Sequence, residues 1–102
     1  MRGQEYGTPF FETATHATAA VASHASVAGK TYFITDIAVS SDKAGALLLV
    51  KHGTTVIWQM QIGASFFAYK FSVPLKGATG ALVSVEIDGT SACKANIAGY
   101  EL

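Results

Sequence analysis

The sequence is short of charge. Only 14% of its 102 residues are Asp, Glu, Lys or Arg, and the two signs cancel to a formal net charge of zero. Nucleic-acid binding through phosphates needs a surplus of Lys and Arg. Here the seven basic residues, Arg2, Lys30, Lys43, Lys51, Lys70, Lys76 and Lys94, are dispersed without a run, so no nucleic-acid partner is expected. Cys93 is the single cysteine, which rules out an intrachain disulfide. The longest unbroken apolar stretch is Ala46 to Val50, far short of a membrane-spanning helix. The first residues show no basic start followed by an apolar run, and synthesis in a reducing cytoplasm is expected.

Catalytic patterns are missing too. Gly29-Lys30-Thr31 matches the end of a phosphate-binding loop, but His24 stands where the first glycine belongs. The residues after Thr31 also read as strand, where that loop needs a helix. The three histidines, His16, His24 and His52, include no HxH pair, and a metal site needs three or four converging ligands. That argues against a metal-dependent jelly-roll enzyme as well. His16 and His24 are eight apart and would share a face if one strand carried both. No spacing among Asp36, Asp42, Glu86 and Asp88 suggests a glycosidase pair. Cys93 has only Lys94 beside it, and a buried, inert thiol is expected. No cofactor, metal or catalytic residue is assigned, and the protein is read as a non-enzyme.

What the chain has is apolar residues, half of the total. They are arranged as strands closed by small turns. Residues 1–9 are broken by Gly3, Gly7 and Pro9 and read as an N-terminal arm before a single domain over 10–102. Thr13 to Ser26 mixes helix-favouring Ala with strand-favouring Thr and Val; strand is expected, with helix the alternative. Thr31 to Ser40 places Phe33, Ile37 and Val39 on one face and Tyr32 and Ile34 on the other. Ser41 to Gly45 is a turn, and Gly45 is free to take a positive φ. Ala46 to Lys51 is apolar on both faces. Thr55 to Ile62 alternates, with Val56, Trp58, Met60 and Ile62 opposite Gln59 and Gln61. Phe67, Tyr69, Phe71 and Val73 share a face until Pro74, which is expected to stop the strand. Val83 to Ile87 alternates up to Asp88-Gly89, a hairpin signal. Cys93, Ala95 and Ile97 follow. About eight strands at this spacing imply an all-β antiparallel sandwich, jelly-roll-like.

A lone sandwich is polar on its outer faces. Several strands here break that rule, and the second apolar faces are expected to meet partner subunits. Phe10, Phe11, Tyr32, Ile34, Leu47, Leu49 and Phe66 are the candidate contacts. Asp36, alone among apolar neighbours, is expected to be hydrogen-bonded or to act between subunits. Trp58 and Tyr69 could form a sugar-stacking platform, but their apolar company favours a core position.

Gly29-Lys30-Thr31-Tyr32-Phe33-Ile34-Thr35-Asp36-Ile37 with the Ser-Asp turn behind it, Pro74-Leu75-Lys76-Gly77, and the closing Ala98-Gly99-Tyr100-Glu101 together resemble small virion proteins of tailed bacteriophages. The resemblance covers roughly residues 29 to 102. It implies an all-β, often trimeric subunit that decorates a capsid or belongs to a tail. The expected function is therefore a capsid decoration or cement protein, located in the virion. It would form a homo-oligomer, with a trimer favoured, and contact the major capsid protein or another virion protein. The alternative is a carbohydrate-binding module of a tail or fibre.

Overall fold

The computed structural model describes residues 7–102. Residues 1–6 of the expected arm lie outside them, while Thr8 and Pro9 already belong to the first strand. Eight strands follow in order: β1 (Thr8–His16), β2 (Ala19–His24), β3 (Tyr32–Ser41), β4 (Ala46–His52), β5 (Thr55–Ile62), β6 (Phe66–Lys76), β7 (Val83–Asp88) and β8 (Cys93–Glu101). The Ala/Thr-rich segment is strand, split by a crossing at Ala17-Thr18. His16 and His24 therefore stand on different strands.

Two antiparallel four-stranded sheets pack face to face. Their orders are β1-β8-β3-β6 and β2-β7-β4-β5. The pairings β1 with β8, β2 with β7, β3 with β6 and β4 with β5 are those of one long ribbon folded over on itself. That is the jelly-roll connectivity. Among the described residues, β4 and β5 are the only consecutive strands that pair, and Gly53 takes a φ of +56° in the turn between them. Asp88-Gly89 does not make the expected hairpin. The chain there crosses from one sheet to the other, and Gly89 donates its N–H to the Thr18 carbonyl at 2.7 Å.

The core lies between the sheets. Tyr32, Ile34, Leu48, Val50, Val83, Val85, Ile87 and Ile97 are fully buried in it, each contributing about 1.5–3 kcal/mol. Strand β3 supplies Tyr32, Ile34, Ile37 and Val39 to this one interior. Strict alternation would forbid that set. A bulge at Thr35 allows it, because the pairing register shifts between Ile34 and Asp36 on both neighbours, and one extra residue flips the faces beyond it. The expected two-faced β3 is thus corrected to a strand with one apolar face. Phe33 points outward and stacks on Tyr100 at 5.0 Å.

The same irregularity explains Pro74. It does not end β6, which runs on to Lys76. Ladder pairing jumps from Lys70 to Leu75, leaving Phe71 to Pro74 without partners on β3. A residue with no N–H costs nothing where no ladder bond is due.

Carboxylates pin the loops at one end of the sandwich. Asp42 accepts N–H bonds from Thr90 at 2.9 Å and Ser91 at 2.9 Å, and a short bond from the Ser91 hydroxyl. Asp88 accepts from Lys43 Nζ at 2.6 Å and from the Leu47 N–H at 2.7 Å. These bonds, that from Lys43 foremost, hold the Asp88 carboxyl below the usual carboxylate range. The Ser91 hydroxyl, then the Thr90 N–H, does the same for Asp42. A depressed carboxyl stabilises the fold above its unfolded value, about 3.9, and that contribution disappears as pH falls through the folded value. The melting midpoint is therefore expected to drop on acidification below that value. Asp88→Asn should lower the midpoint at neutral pH and flatten the acid limb, read by thermal denaturation across pH.

Candidate interaction surface

The expected contact residues do not converge. Phe10, Tyr32 and Ile34 are buried in the core. Phe10, Tyr32 and Ile34 sit there because the even positions of β1 and of the first part of β3 point inward. Leu47 (42% exposed) and the half-buried Leu49 lie on the outer face of the β2-β7-β4-β5 sheet. Phe11 and Phe66, 63% and 73% exposed, lie on the outer face of the other sheet.

Asp36 shares that second face. Cross-strand pairing sets Phe11, Ala98, Asp36 and Lys70 in one row across all four strands. Ala38, Ala68 and Asn96 form the next row, so small side chains floor a shallow depression of about 570 Å³. Asn96 donates to the Ala38 carbonyl at 3.2 Å. Asp36 Oδ1 is buried and accepts no hydrogen bond. No ion pair among the described residues joins Asp36 to Lys70.

The two lateral edges of the sandwich differ. At the β1–β2 edge, His24 closes the gap. Its ring stacks on Phe10 at 4.4 Å and meets Tyr32 edge-on at 4.8 Å. Its Nδ1 sits 2.7 Å from Glu12 Oε2, and its Nε2 4.0 Å from Glu101 Oε1. Tyr32 donates its hydroxyl to the Ala25 carbonyl at 2.5 Å, beside this cluster. Burial, with the Glu101 carboxylate second, pushes the Tyr32 phenol up. His24→Ala should remove the stack and the bond to Glu12 together, lowering stability by about 1–2 kcal/mol in urea denaturation.

At the opposite edge β5 and β6 scarcely touch. Trp58 of β5 lies near three rings of β6: Phe71 at 5.5 Å, Tyr69 at 5.7 Å and Phe67 at 6.3 Å. The cluster packs against the core from the side but does not seal it. Val56 and Met60 on β5, and Phe66, Tyr69 and Val73 on β6, are all substantially exposed, Val73 at 78%. Strand β5, expected to be ordinary and half-buried, is thus an open edge. Its register slips between Val50 and Lys51, where Val50 pairs with Trp58 but Lys51 with Val56, and this puts Val56 outside. Val56, Met60, Tyr69 and Val73 were not among the expected contacts. Their alternation imitates a covered strand, and only the edge position and the two bulges expose them.

Other candidate chemistry is structural. Cys93 is buried, with its thiol 3.1 Å from the His16 carbonyl. His16 Nδ1 accepts the Thr18 N–H at 3.2 Å and so caps its own turn. Lys51 and Glu86 pair at 2.7 Å on an outer face. No cluster of three or more His, Cys, Asp or Glu suited to a metal occurs among the described residues.

No family model and no curated protein matches the sequence. Among solved structures the chain is similar to FLHE, with a TM-score of 0.45 at 6% identity over 92% of this chain and 99% of that one. It is also similar to PliG of Aeromonas hydrophila, a periplasmic lysozyme inhibitor of g-type lysozyme. There the TM-score is 0.38 at 9% identity over 100% of this chain and 91% of that one. Likeness at this level is a matter of overall shape and does not bear on function.

Proposed function

We propose that this protein is a non-enzymatic structural subunit that works as a homo-oligomer, and that its place is in a phage particle as a capsid decoration or cement protein. The observation that supports self-association is the open β5–β6 edge, where Val56 and Met60 of β5 and Phe66, Tyr69 and Val73 of β6 are all exposed. Monomeric soluble proteins rarely leave such apolar residues grouped. Zero net charge removes the repulsion between copies that would oppose assembly. The virion placement rests on the sequence resemblance to small phage virion proteins, which also favours a trimer. The jelly roll is a common architecture of viral shell domains, a fold-level analogy only. In this role the subunit would bridge capsomers by shape and apolar burial, gaining avidity from its linked copies.

Quantitative mass spectrometry of purified particles tests the placement. Hundreds of copies per particle are expected for a shell protein. A handful would move it to the tail, and none would end the virion reading.

A second reading, carbohydrate binding, is favoured by the outer depression, which the exposed Phe11 ring lines together with Asp36 and Lys70. Trp58, the stronger stacking residue, is already surrounded by three rings. The structural reading expects no hits on a glycan array. A hit lost in Phe11→Ala would favour the second reading.

A further inference from the structure

We infer that the free edge of β6 pairs with β6 of a second copy about a two-fold axis centred on Ala68. This rests on the oligomeric reading above and departs from the trimer that the resemblance favours.

Strand β6 ends its sheet, so one side of its backbone has no ladder partner among the described residues. Natural edge strands are protected by charge, proline, bulges or cover, because a bare edge invites another strand. On β6 the proline and the irregular pairing fall in one half, and the other half carries a single charge, Lys70 at its end. The unpaired stretch from Phe71 to Pro74 disrupts the distal part. Phe66 to Lys70, by contrast, is a regular segment paired with Ser40 to Asp36 of β3. Its midpoint is Ala68.

Antiparallel pairing about that midpoint has a definite register. Ala68 would oppose Ala68 of the second copy, a close approach between small side chains. Phe67 would oppose Tyr69, an aromatic pair on the inner face beside Trp58. Phe66 would oppose Lys70, an ammonium over a ring. No lysine meets a lysine. Each pair occurs twice, as an isologous contact requires, and cross-strand pairs of these kinds stabilise a ladder.

The area is adequate as well. The open side chains of Phe66, Tyr69 and Val73 on β6, with Met60 on β5, expose on the order of 400 Å². That is about half of the roughly 800 Å² that each partner buries in a specific interface. Backbone and flanking atoms supply the remainder.

The test uses the full chain at micromolar concentration. Light scattering after size exclusion should give the wild type a mass twice the 10.6 kDa of one chain. Ala68→Lys would set two ammonium groups face to face at the axis. It should weaken the dimer about 100-fold, to a monomer, with an unchanged far-ultraviolet spectrum. Ala68→Cys should form a disulfide-linked dimer under mild oxidation, because opposed residues of an antiparallel pair lie within disulfide reach. Cys93 is buried and does not compete. Ser23→Cys, on the opposite edge strand, should stay uncrosslinked. A wild-type oligomer that survives Ala68→Lys, together with no crosslink in Ala68→Cys, overturns the inference and leaves the oligomeric reading standing. A wild-type monomer overturns both.

Discussion

Tyr32→Ala is expected to lower stability by about 3–5 kcal/mol, the range for deleting a large buried aromatic side chain. Small domains have only about 5–15 kcal/mol in total, so a substantial unfolded fraction should appear in urea well before the wild-type midpoint. The ring has no exposed surface and sits where β3, β1 and β2 meet, against Phe10 and His24. Tyr32→Phe separates the two parts of this effect. It keeps the ring and loses only the hydroxyl bond to the Ala25 carbonyl, an expected cost of about 1 kcal/mol. Were Tyr32 an intersubunit contact, as alternation along the strand suggests, its truncation would change oligomer mass and spare monomer stability. The core position predicts the reverse. Phe66→Ala is the matching control: it should leave denaturation of the monomer nearly unchanged, because the side chain is 73% exposed.

Gly99→Ala is expected to cost about 3 kcal/mol or more, at the upper end for inserting one carbon into a filled space. Gly99 stands in β8 between Phe10 of β1 and Ile34 of β3. A Cβ there would lie 2.0 Å from the Phe33 carbonyl oxygen and 2.9 Å from Cζ of Phe10. The first of these is backbone of a central strand beside its bulge, which cannot give way without breaking the ladder. Urea denaturation of Gly99→Ala against Gly63→Ala provides the measurement. Gly63 has open space around its Cβ position and no positive φ, so its substitution should be close to neutral.

Both predictions concern places where the sequence is hard to read. Strand number, turn positions and the sandwich follow from alternation and from residues such as Gly45 and Gly53, and the structure has them. Alternation assumes that the period of two never slips. At Thr35 it slips, and Tyr32 and Ile34 join Ile37 and Val39 in one core rather than facing a partner. At Ile57 it slips again, and Val56 moves outside. Between Lys70 and Leu75 it is lost, and Pro74 survives inside a strand. A bulge is set by pairing with strands distant in sequence, so nothing local to Thr35 or Ile57 announces it.

Edge position is equally non-local. Met60 and Tyr69 look like core from their neighbours in sequence. They are half-open because β5 and β6 happen to end their sheets on the same side. The Asp88-Gly89 pair misleads for a related reason. Its turn chemistry is used to cross between sheets, with the Asp88 carboxylate holding Lys43 and the Leu47 N–H. Of the expected contacts, Phe66 alone lies on the open edge, because it alone belongs to β5 or β6.

The account turns on whether the open β5–β6 edge is covered in solution by a second copy. Sedimentation equilibrium of the wild-type chain, set beside Ala68→Lys at the same concentration, tests this most directly. A dimer for the wild type and a folded monomer for the variant are the predicted results. A single ideal species of one-chain mass for the wild type, across the micromolar range, would contradict it.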